Sequence, residues 1–539
     1  MNPPTLLVIT ARKVAEYILE GKYKGVDYEL CAAGSNIIFD IVKEKKHNLE
    51  TDEQEEIAEE ILLKMVKPNK MNFENKRSYK MREWDLEMLR EQNLVELKMG
   101  DMRELRDYVK EWDDETIKRL RRIQPATARD YFDIVDLLNQ NLKLETKTSL
   151  TKLDISKSPF CRRDNLFPEN WTHAISLMLP NLRILKISGQ NLPCSEFRVL
   201  CENFPNLISL DISSTGLDEL TGIANLQRLE ELAMGGLPIA RIRFMNELYQ
   251  LNNLKKLDLN EHHCRDKDST AMEFFARSDK KIPGLLEFDC SKCQITQEQL
   301  DYIVDRHSTL KKIIANGVDG LELDYIGIEV LSDDSIDSLL SSIDYFYAKG
   351  NHCRNNKNLF YIAKEIHASE PTIENLRSVI RKVYQLIPIY GYHEEIMSNI
   401  GRVCHEATRP ALLPLYDNAD KRILLEMFLI FNVKTKNPHL VAWKRFNEII
   451  RVTEDPQTDK IASRAIDFFV TFDEEEFGME CLEVMDQLKD KIDMEAEEYK
   501  GLDMRKLIVK LKKIHTAKKG KKDVKQKAGR VMRFFERFA

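Results

Sequence analysis

The sequence predicts an α/β leucine-rich-repeat solenoid, curved as a horseshoe, followed by an all-α solenoid of the armadillo or HEAT kind, with a helical segment before both. Three observations predict this order. The pattern LxxLxL recurs through the middle of the chain, amphipathic helices replace it after about residue 330, and helical periodicity fills residues 1–90. With 539 residues, 43% of them hydrophobic, the chain is long enough for roughly three domains with cores of their own.

Six well-formed copies of LxxLxL define the repeat, and degraded copies begin at Leu94 and Leu310. The six begin at Leu150, Leu182, Leu207, Leu229, Leu254 and Leu285. Successive starts lie 22 to 32 residues apart, on or slightly beyond the period of leucine-rich repeats. In such a repeat each LxL is a short strand whose alternate side chains point inward, and only stacked neighbours bury that apolar face. The pattern therefore predicts a solenoid with a concave strand face.

The residue between the last two apolar positions of each copy is expected on that concave face. These residues are Asp154, Lys186, Asp211, Ala233, Asp258 and Asp289. Four acids on one face favour a basic partner. The alternative is that they are ordinary solvated strand residues.

The flanking regions read as helices. Before the repeats we predict helices at Thr5–Leu19, at 35–42 with Ser35 as the N-cap, and at 55–66, with a further charged helical stretch at 102–140 lying between repeats. After residue 330 we predict helices at 335–348, 358–367, 372–386, 393–408, 421–432, 437–452, 459–472 and 476–488. We expect domain boundaries that give segments 1–90, 91–330, 331–505 and 506–539.

No catalytic motif is present in the sequence. The chain has no GxxxxGK[ST], no GxGxxG after a strand, no HExxH, no GxSxG and no HRD with DFG. We therefore expect a protein that is not an enzyme, with no catalytic residue, no resident metal and no cofactor.

Two cysteine-containing clusters nevertheless need an interpretation. His262-His263-Cys264 with Cys290 and Cys293 could form a zinc site. The repeat offers another account, because Cys293 follows its LxL in a slot whose side chain bonds to turn backbone. Cys404 and His405 are neighbours on a predicted helix and point in different directions, which favours a buried structural thiol over a thiolate–imidazole pair.

The charge is unevenly distributed. Residues 505–537 contain 14 Lys or Arg and two acids, a net of +12, so the remainder of the chain carries −19 of the total −7. The basic stretch could bind nucleic acid, carry a nuclear-localisation signal, or pair with the acidic remainder of the chain. We favour the last of these, so we expect no nucleic-acid partner. With no signal peptide and no membrane span in the sequence, the expected location is the cytoplasm or nucleus, with reduced cysteines and no secretion.

The first helix carries a short docking pattern. Thr5-Leu6 begins a TLxxx(C)xxxΦ pattern in which Thr10 stands where cysteine is usual. Leu6, Thr10 and Val14 are spaced i, i+4, i+8 and so share one helix face. This pattern resembles the Elongin-C-binding box of cullin-type ubiquitin-ligase receptors, in which a helix lies in a hydrophobic groove. The resemblance implies that these three residues bind Elongin C.

A second short pattern follows at residues 30–39. It resembles a cullin box of the ΦPxxΦxxΦ kind, with Cys31 in place of the proline. The resemblance implies that the cullin-binding residues are Leu30, Cys31, Ile37 and Ile38, and the replaced proline leaves the choice of cullin open.

The order of boxes, leucine-rich repeats and helical solenoid resembles the Zyg-eleven/Zer-one family of substrate receptors for cullin-two RING ubiquitin ligases. It implies a non-catalytic receptor whose partners are Elongin C with Elongin B, a cullin with its RING protein, and a substrate protein. In that family the armadillo-like part binds N-terminal degrons that often begin with glycine, but no pocket residue is carried over to this chain. The alternative is a leucine-rich-repeat interaction scaffold with no ligase role, or a cryptic enzyme or metal protein.

Overall fold

The computed structural model separates the chain into two compact units, Asn2–Ser332 and Asp333–Ala539. It describes residues 6–45, 51–73, 81–100, 102, 104–111, 130–157, 167–261, 270–318, 320–349, 352–369, 371–390, 394–434, 440–453, 458–471, 475–493, 499, 502–517 and 522–537. Within these ranges, no helix is both long enough and apolar enough to cross a bilayer.

The first unit is built on a ten-stranded parallel sheet. Every strand is three residues long, and each pairs with the next one along the solenoid. The strands in spatial order are β1 (Lys70–Asn72), β2 (Glu96–Lys98), β5 (Lys152–Asp154), β6 (Ile184–Lys186), β7 (Ser209–Asp211), β8 (Glu231–Ala233), β9 (Lys256–Asp258), β10 (Glu287–Asp289), β11 (Lys312–Ile314) and β12 (Glu329–Leu331). The predicted strand positions are confirmed for all six good copies and for both degraded ones.

One residue per strand builds the core of the sheet. In every strand of this sheet except β12, the middle residue is at most 2% exposed. These nine residues are Met71, Leu97, Leu153, Leu185, Leu210, Leu232, Leu257, Phe288 and Ile313. Because side chains alternate along a strand, the first and third residues face the other side of the sheet. The outermost strands β1 and β12 lack the LxxLxL pattern, which is why the sequence did not predict them.

Short helices and turns connect the strands, as parallel pairing requires. The helices of the first unit are α1 (Leu6–Leu19), α2 (Ala32–Lys45), α3 (Asp52–Met65), α4 (Glu83–Glu91), α5 (Ile134–Asn141), α6 (Leu144–Ser149), α7 (Trp171–Met178), α8 (Cys194–Asn203), α9 (Ala271–Arg277) and α10 (Gln297–Arg306). Short 3₁₀ turns at Arg106–Tyr108, Ile223–Asn225 and Ile242–Gln250 fill equivalent places. Hydrogen bonds also join neighbouring repeats. The Glu196 carboxylate of α8 accepts one from the Asn170 backbone amide, at 2.6 Å, and one from the Thr172 hydroxyl, at 2.9 Å, both at the start of α7.

The prediction of a helical stretch over residues 102–140 is wrong for most of its described part. In the part that the structure describes, this stretch contains a short 3₁₀ turn, an antiparallel pair of strands, β3 (Val109–Glu111) with β4 (Asp130–Phe132), and an α-helix only from Ile134. The reason is tertiary. Tyr108 and Phe132 are both buried, with ring centroids 6.4 Å apart, and the Asn141 amide donates to the Tyr108 hydroxyl at 2.8 Å. Residues 112–129 lie outside the described residues.

The second unit is helical. Its helices are α11 (Ile336–Ala348), α12 (His352–Ala368), α13 (Ile373–Tyr390), α14 (Glu394–Ala407), α15 (Asn418–Lys434), α16 (Leu440–Val452), α17 (Thr458–Thr471), α18 (Glu475–Leu488), α19 (Met504–Thr516) and α20 (Lys522–Phe535). The first eight lie where helices were predicted, with ends that differ by a few residues. Their apolar faces form one core that includes Ile362, Val383, Ile400 and Ile466. The fold is thus a solenoid-like α/β unit followed by an α unit.

A buried histidine of the first unit is held in its neutral form. The His307 Nδ1 group lies 2.8 Å from the Ile303 carbonyl, to which it donates, and the Ile282 amide donates to Nε2 at 3.2 Å. The ring also stacks on Phe275, with centroids 5.6 Å apart. Burial lowers the pKa of His307 below its usual 6.5.

We expect this histidine to make the protein less stable in acid. Because the folded state binds the proton more weakly than the unfolded chain, the His307 contribution is fully present above about pH 6.5 and is lost as the pH falls from there towards the lowered pKa. Urea unfolding between about pH 8 and about pH 5 should show the wild type losing more free energy of unfolding than His307→Gln, by at most ~1.4 kcal/mol per pH unit. Parallel profiles for the two proteins would contradict this assignment.

Candidate functional site

The first helices of the chain form a small layered cluster. The inner face of α1 consists of Ala11, Ala15 and Ile18, all buried, and it packs against α2, where Phe39 and Val42 are fully buried. Two alanines on this face let the helix axes approach closely. Leu7, four residues before Ala11, begins this same face at the N-terminal end of α1.

The N-terminal half of α1 carries residues of the predicted docking pattern. Thr10 is exposed and Val14 is half-buried against the core, while Leu7 is 43% exposed at i−3 from Thr10. The backbone of Leu6 opens α1, but its side chain lies outside the described residues. Sequence reasoning missed Leu7. Leu7 lies at i−4 from Ala11 and so begins the same face, and only the packing of α1 beside Gly34 shows that its side chain is left 43% exposed.

Leu7 belongs to a patch that also includes the start of α2. A β-carbon added at Gly34 would lie 3.7 Å from the Cys31 sulfur and 3.9 Å from Leu7 Cδ1, so these two exposed side chains flank the same glycine. Gly34 itself is buried, and we call the three exposed residues Leu7, Thr10 and Cys31 the N-terminal patch. It is apolar or weakly polar and carries no charge, as the centre of a protein interface usually is.

The predicted cullin-binding residues divide into two groups. Cys31 is exposed and Leu30 is half-buried, with its amide donating to the Met65 carbonyl at 2.8 Å. Ile37 is half-buried against the core and Ile38 is only 2% exposed. Ile38 thus packs inside this chain, and of the four residues Cys31 is the most accessible.

Ser35 does not cap α2 as predicted, because the helix begins at Ala32. Its hydroxyl instead donates to the Leu30 carbonyl at 3.2 Å and accepts from the Lys67 amide at 2.9 Å. Ser35 therefore ties the loop before α2 to the segment after α3, and this fixes the position of Cys31.

The acids of the sheet face have a structural role that the sequence did not reveal. Each carboxylate accepts a hydrogen bond, 3.0 Å long, from the backbone amide two residues further on, and each therefore closes the turn after its strand. The four are Asp154, Asp211, Asp258 and Asp289. Burial raises the pKa of Asp211, and Lys186 opposes that shift. Because these carboxylates are committed to turns, they do not by themselves indicate a basic partner.

The first positions of the strands form a ladder of opposite charges. Lys152 lies 3.1 Å from Glu96, which also pairs with Lys70, and Lys256 lies 2.8 Å from Glu231. The ladder is interrupted at β6 and β7, where Ile184 and Ser209 stand. Much of the charge on this face is therefore neutralised within the sheet itself.

Cys290 and Cys293, the two buried cysteines of one repeat, behave as structural thiols. The Cys293 sulfur donates to the Leu259 carbonyl at 3.1 Å, as the repeat slot predicts, and Cys290 lies 3.5 Å from the Ile314 carbonyl. Burial raises the pKa of both thiols, which opposes the thiolate form that zinc requires. His262, His263 and Cys264 lie outside the described residues. Among those described, no group of three or more His, Cys, Asp or Glu side chains is placed to hold a metal ion.

The Cys404 thiol is likewise buried, and burial raises its pKa to about 12. It is therefore protonated at neutral pH and is not poised as a nucleophile. His405, beside it in sequence, is half-buried.

Comparison with known proteins finds a distant relative of part of the chain. No family model matches the chain. Over 311 residues the chain is 28% identical to Gastrulation-defective protein 3 of Caenorhabditis elegans, a stretch that covers 58% of this chain and 40% of that protein. The chain thus matches less than half of the length of this relative.

Proposed function

We propose that this protein is a non-catalytic substrate-recognition subunit of a ubiquitin ligase built on cullin-two and Elongin B/C. The observation that carries the proposal is the exposed N-terminal patch on α1, a helix whose sequence resembles an Elongin-C-binding box. We further propose that the first unit is a leucine-rich-repeat horseshoe and the second an armadillo-like solenoid, within segments 1–90, 91–330, 331–505 and 506–539.

In this proposal α1 docks into a groove of Elongin C. Leu6 enters an apolar pocket, Thr10 permits close approach, and Val14 extends the contact along the helix. Leu7 and Thr10 form a solvent-exposed stripe at the start of α1, and a partner groove would cover these side chains, which this chain leaves in water. The buried alanines Ala11 and Ala15 hold α1 against α2, so the exposed stripe is not needed to keep α1 in place.

The cullin binds next to this stripe in the proposal. Cys31 and Leu30 make the direct contacts, Ile37 borders them, and Ile38 supports the surface from the core. The proximity of Cys31 to Leu7 across Gly34 lets one continuous surface serve both Elongin C and the cullin.

The solenoid surfaces bind the substrate, and the rate enhancement comes from position. A substrate held beside the ubiquitin-carrying enzyme reacts as if at high local concentration, so this chain needs no reactive side chain. The similarity to Gastrulation-defective protein 3 supports common ancestry over the aligned stretch. The name of that protein states no biochemical activity that could be added to the proposal.

Co-purification tests the proposal. The full chain should retain Elongin B/C and cullin-two, and Leu6→Asp should weaken that association by at least about 2 kcal/mol, or roughly thirtyfold, because a charge would enter an apolar pocket. Leu177→Asp is the matched control, since Leu177 is a 72% exposed leucine on α7, far from the docking pattern in sequence. Circular dichroism of all three proteins checks that each one is folded.

Two results would overturn the proposal. If Elongin B/C never accompanies the wild-type chain, the non-ligase scaffold is the better description. If Leu6→Asp and Leu177→Asp bind Elongin B/C equally well, the docking surface lies elsewhere.

A further inference from the structure

The basic C-terminal hairpin has two sets of cations with different surroundings. Helices α19 and α20 pack tightly together, with Leu511 and Val531 buried and the His515 ring directly over Gly529. The hairpin is therefore a formed structural element, and its cations on the described residues lie on definite sides of it.

The inner set is neutralised by α18. Lys527 pairs with Glu483, and the Arg530 guanidinium forms two hydrogen bonds with the Asp486 carboxylate, one of them 3.0 Å long. These pairs bear out the expectation that the basic stretch pairs with the acidic body, but only for part of it.

The outer set consists of exposed cations that make no ion pair within the described part of the chain. It comprises Arg505, Lys506, Lys512 and Lys513 on α19, and Lys522, Arg533 and Arg537 on or just after α20. On α19 the two pairs are seven residues apart, so they lie on one face about 10 Å apart. We call these seven residues the outer basic surface.

We propose that the outer basic surface binds the phosphate backbone of a nucleic acid, without reading its sequence. The cations extend along the helices instead of converging on one point, and this fits a linear polyanion better than a small anion. Of the larger apolar side chains on α19 and α20, only Val509 is markedly exposed, at 66%, and Phe535 is fully buried. Such a surface lacks the apolar centre that a protein interface usually has.

The charge of the rest of the chain supports a nucleic-acid site that is limited to the hairpin. Outside residues 505–537 the net charge is −19, which repels a polyanion. A nucleic acid would therefore bind the hairpin and not the acidic remainder of the chain. This inference does not depend on the proposed ligase role.

Fluorescence anisotropy on the full chain tests the inference. Labelled duplex DNA of mixed sequence is titrated with the wild type, with Lys512→Gln/Lys513→Gln, and with the matched control Lys280→Gln/Lys281→Gln, which removes two adjacent exposed lysines from the first unit. The outer double variant should bind more weakly, and its plot of log affinity against log salt should be shallower by about 1.8, or about 0.9 for each phosphate that is no longer neutralised. The control should match the wild type.

Three outcomes would overturn the inference. These are no binding of DNA or RNA even at low salt, an equal weakening in the two double variants, and polyglutamate that competes better than an oligonucleotide of the same charge. The last would assign the surface to an acidic protein. All four substituted lysines are exposed, so the variants should fold, and circular dichroism checks this.

Discussion

Replacing Phe288 with alanine is expected to lower the free energy of unfolding by about 3–5 kcal/mol. Phe288 is the middle residue of β10 and is fully buried, with its ring centroid 5.4 Å from that of Phe275. Phe275 in turn stacks on Tyr249 and His307. The alanine would leave a cavity beside Phe275, the central ring of this cluster, which the three-residue strands on either side cannot close.

A graded series gives the prediction its control. Phe288→Leu restores the residue that β8 and β9 carry at the same position, so it should cost less than about 1.5 kcal/mol. Leu177→Ala, at an exposed position, should change stability by less than about 0.5 kcal/mol. Urea unfolding of the full chain measures all three. If the leucine variant were as unstable as the alanine variant, the destabilisation would come from the missing aromatic ring and not from the cavity.

Two asparagines of α12 are expected to respond in opposite directions to the same substitution. Asn355 and Asn358 are both fully buried. In the orientation that satisfies its amide, Asn355 donates to the Ile343 carbonyl at 3.2 Å and accepts from the Tyr390 hydroxyl at 3.0 Å. Neither amide atom of Asn358 has a hydrogen-bond partner among the described residues.

Asn358→Leu should therefore raise the free energy of unfolding by about 1–3 kcal/mol, because it removes a buried polar group without leaving another unsatisfied. Asn355→Leu should lower it by a similar amount or more, because the Tyr390 hydroxyl and the Ile343 carbonyl would be left without this partner. Urea unfolding of both variants, with hydrogen exchange over α12, provides the measurement. A loss of stability in Asn358→Leu would mean that its amide has a partner, such as a buried water.

Much of the architecture follows from local pattern. Each strand from β5 to β10 lies at the LxL of its repeat. Side chains alternate between the two faces of a strand, so only one pairing register places the buried middle residue of every strand in the same core. The helices of the second unit follow from their apolar periodicity in the same way. The strands β1 and β12 escape this reasoning, because an end strand has a neighbour on one side only and tolerates a weaker pattern.

The candidate site was less predictable. Periodicity placed Thr10 and Val14 on one face of α1, but not Leu7, whose exposure depends on how α1 lies on α2. Ile38 fits a docking pattern and yet packs in the core. The charged stretch 102–140 matched a helix, while burial of Tyr108 and Phe132 favours a strand pair.

The order of residues along the chain was enough to establish the repeat register, the change from strands to helices near residue 330, and the basic character of residues 505–537. These properties depend on the spacing and identity of neighbouring residues. The packed structure was needed to show that Asp154 and Asp289 close turns and that Cys293 bonds to backbone. It was also needed to show that Lys527 is neutralised, while Lys512 has no ion-pair partner among the described residues. The difference arises because a side chain's charge, thiol or methyl group acts through the atoms packed around it, and those atoms come from distant parts of the chain.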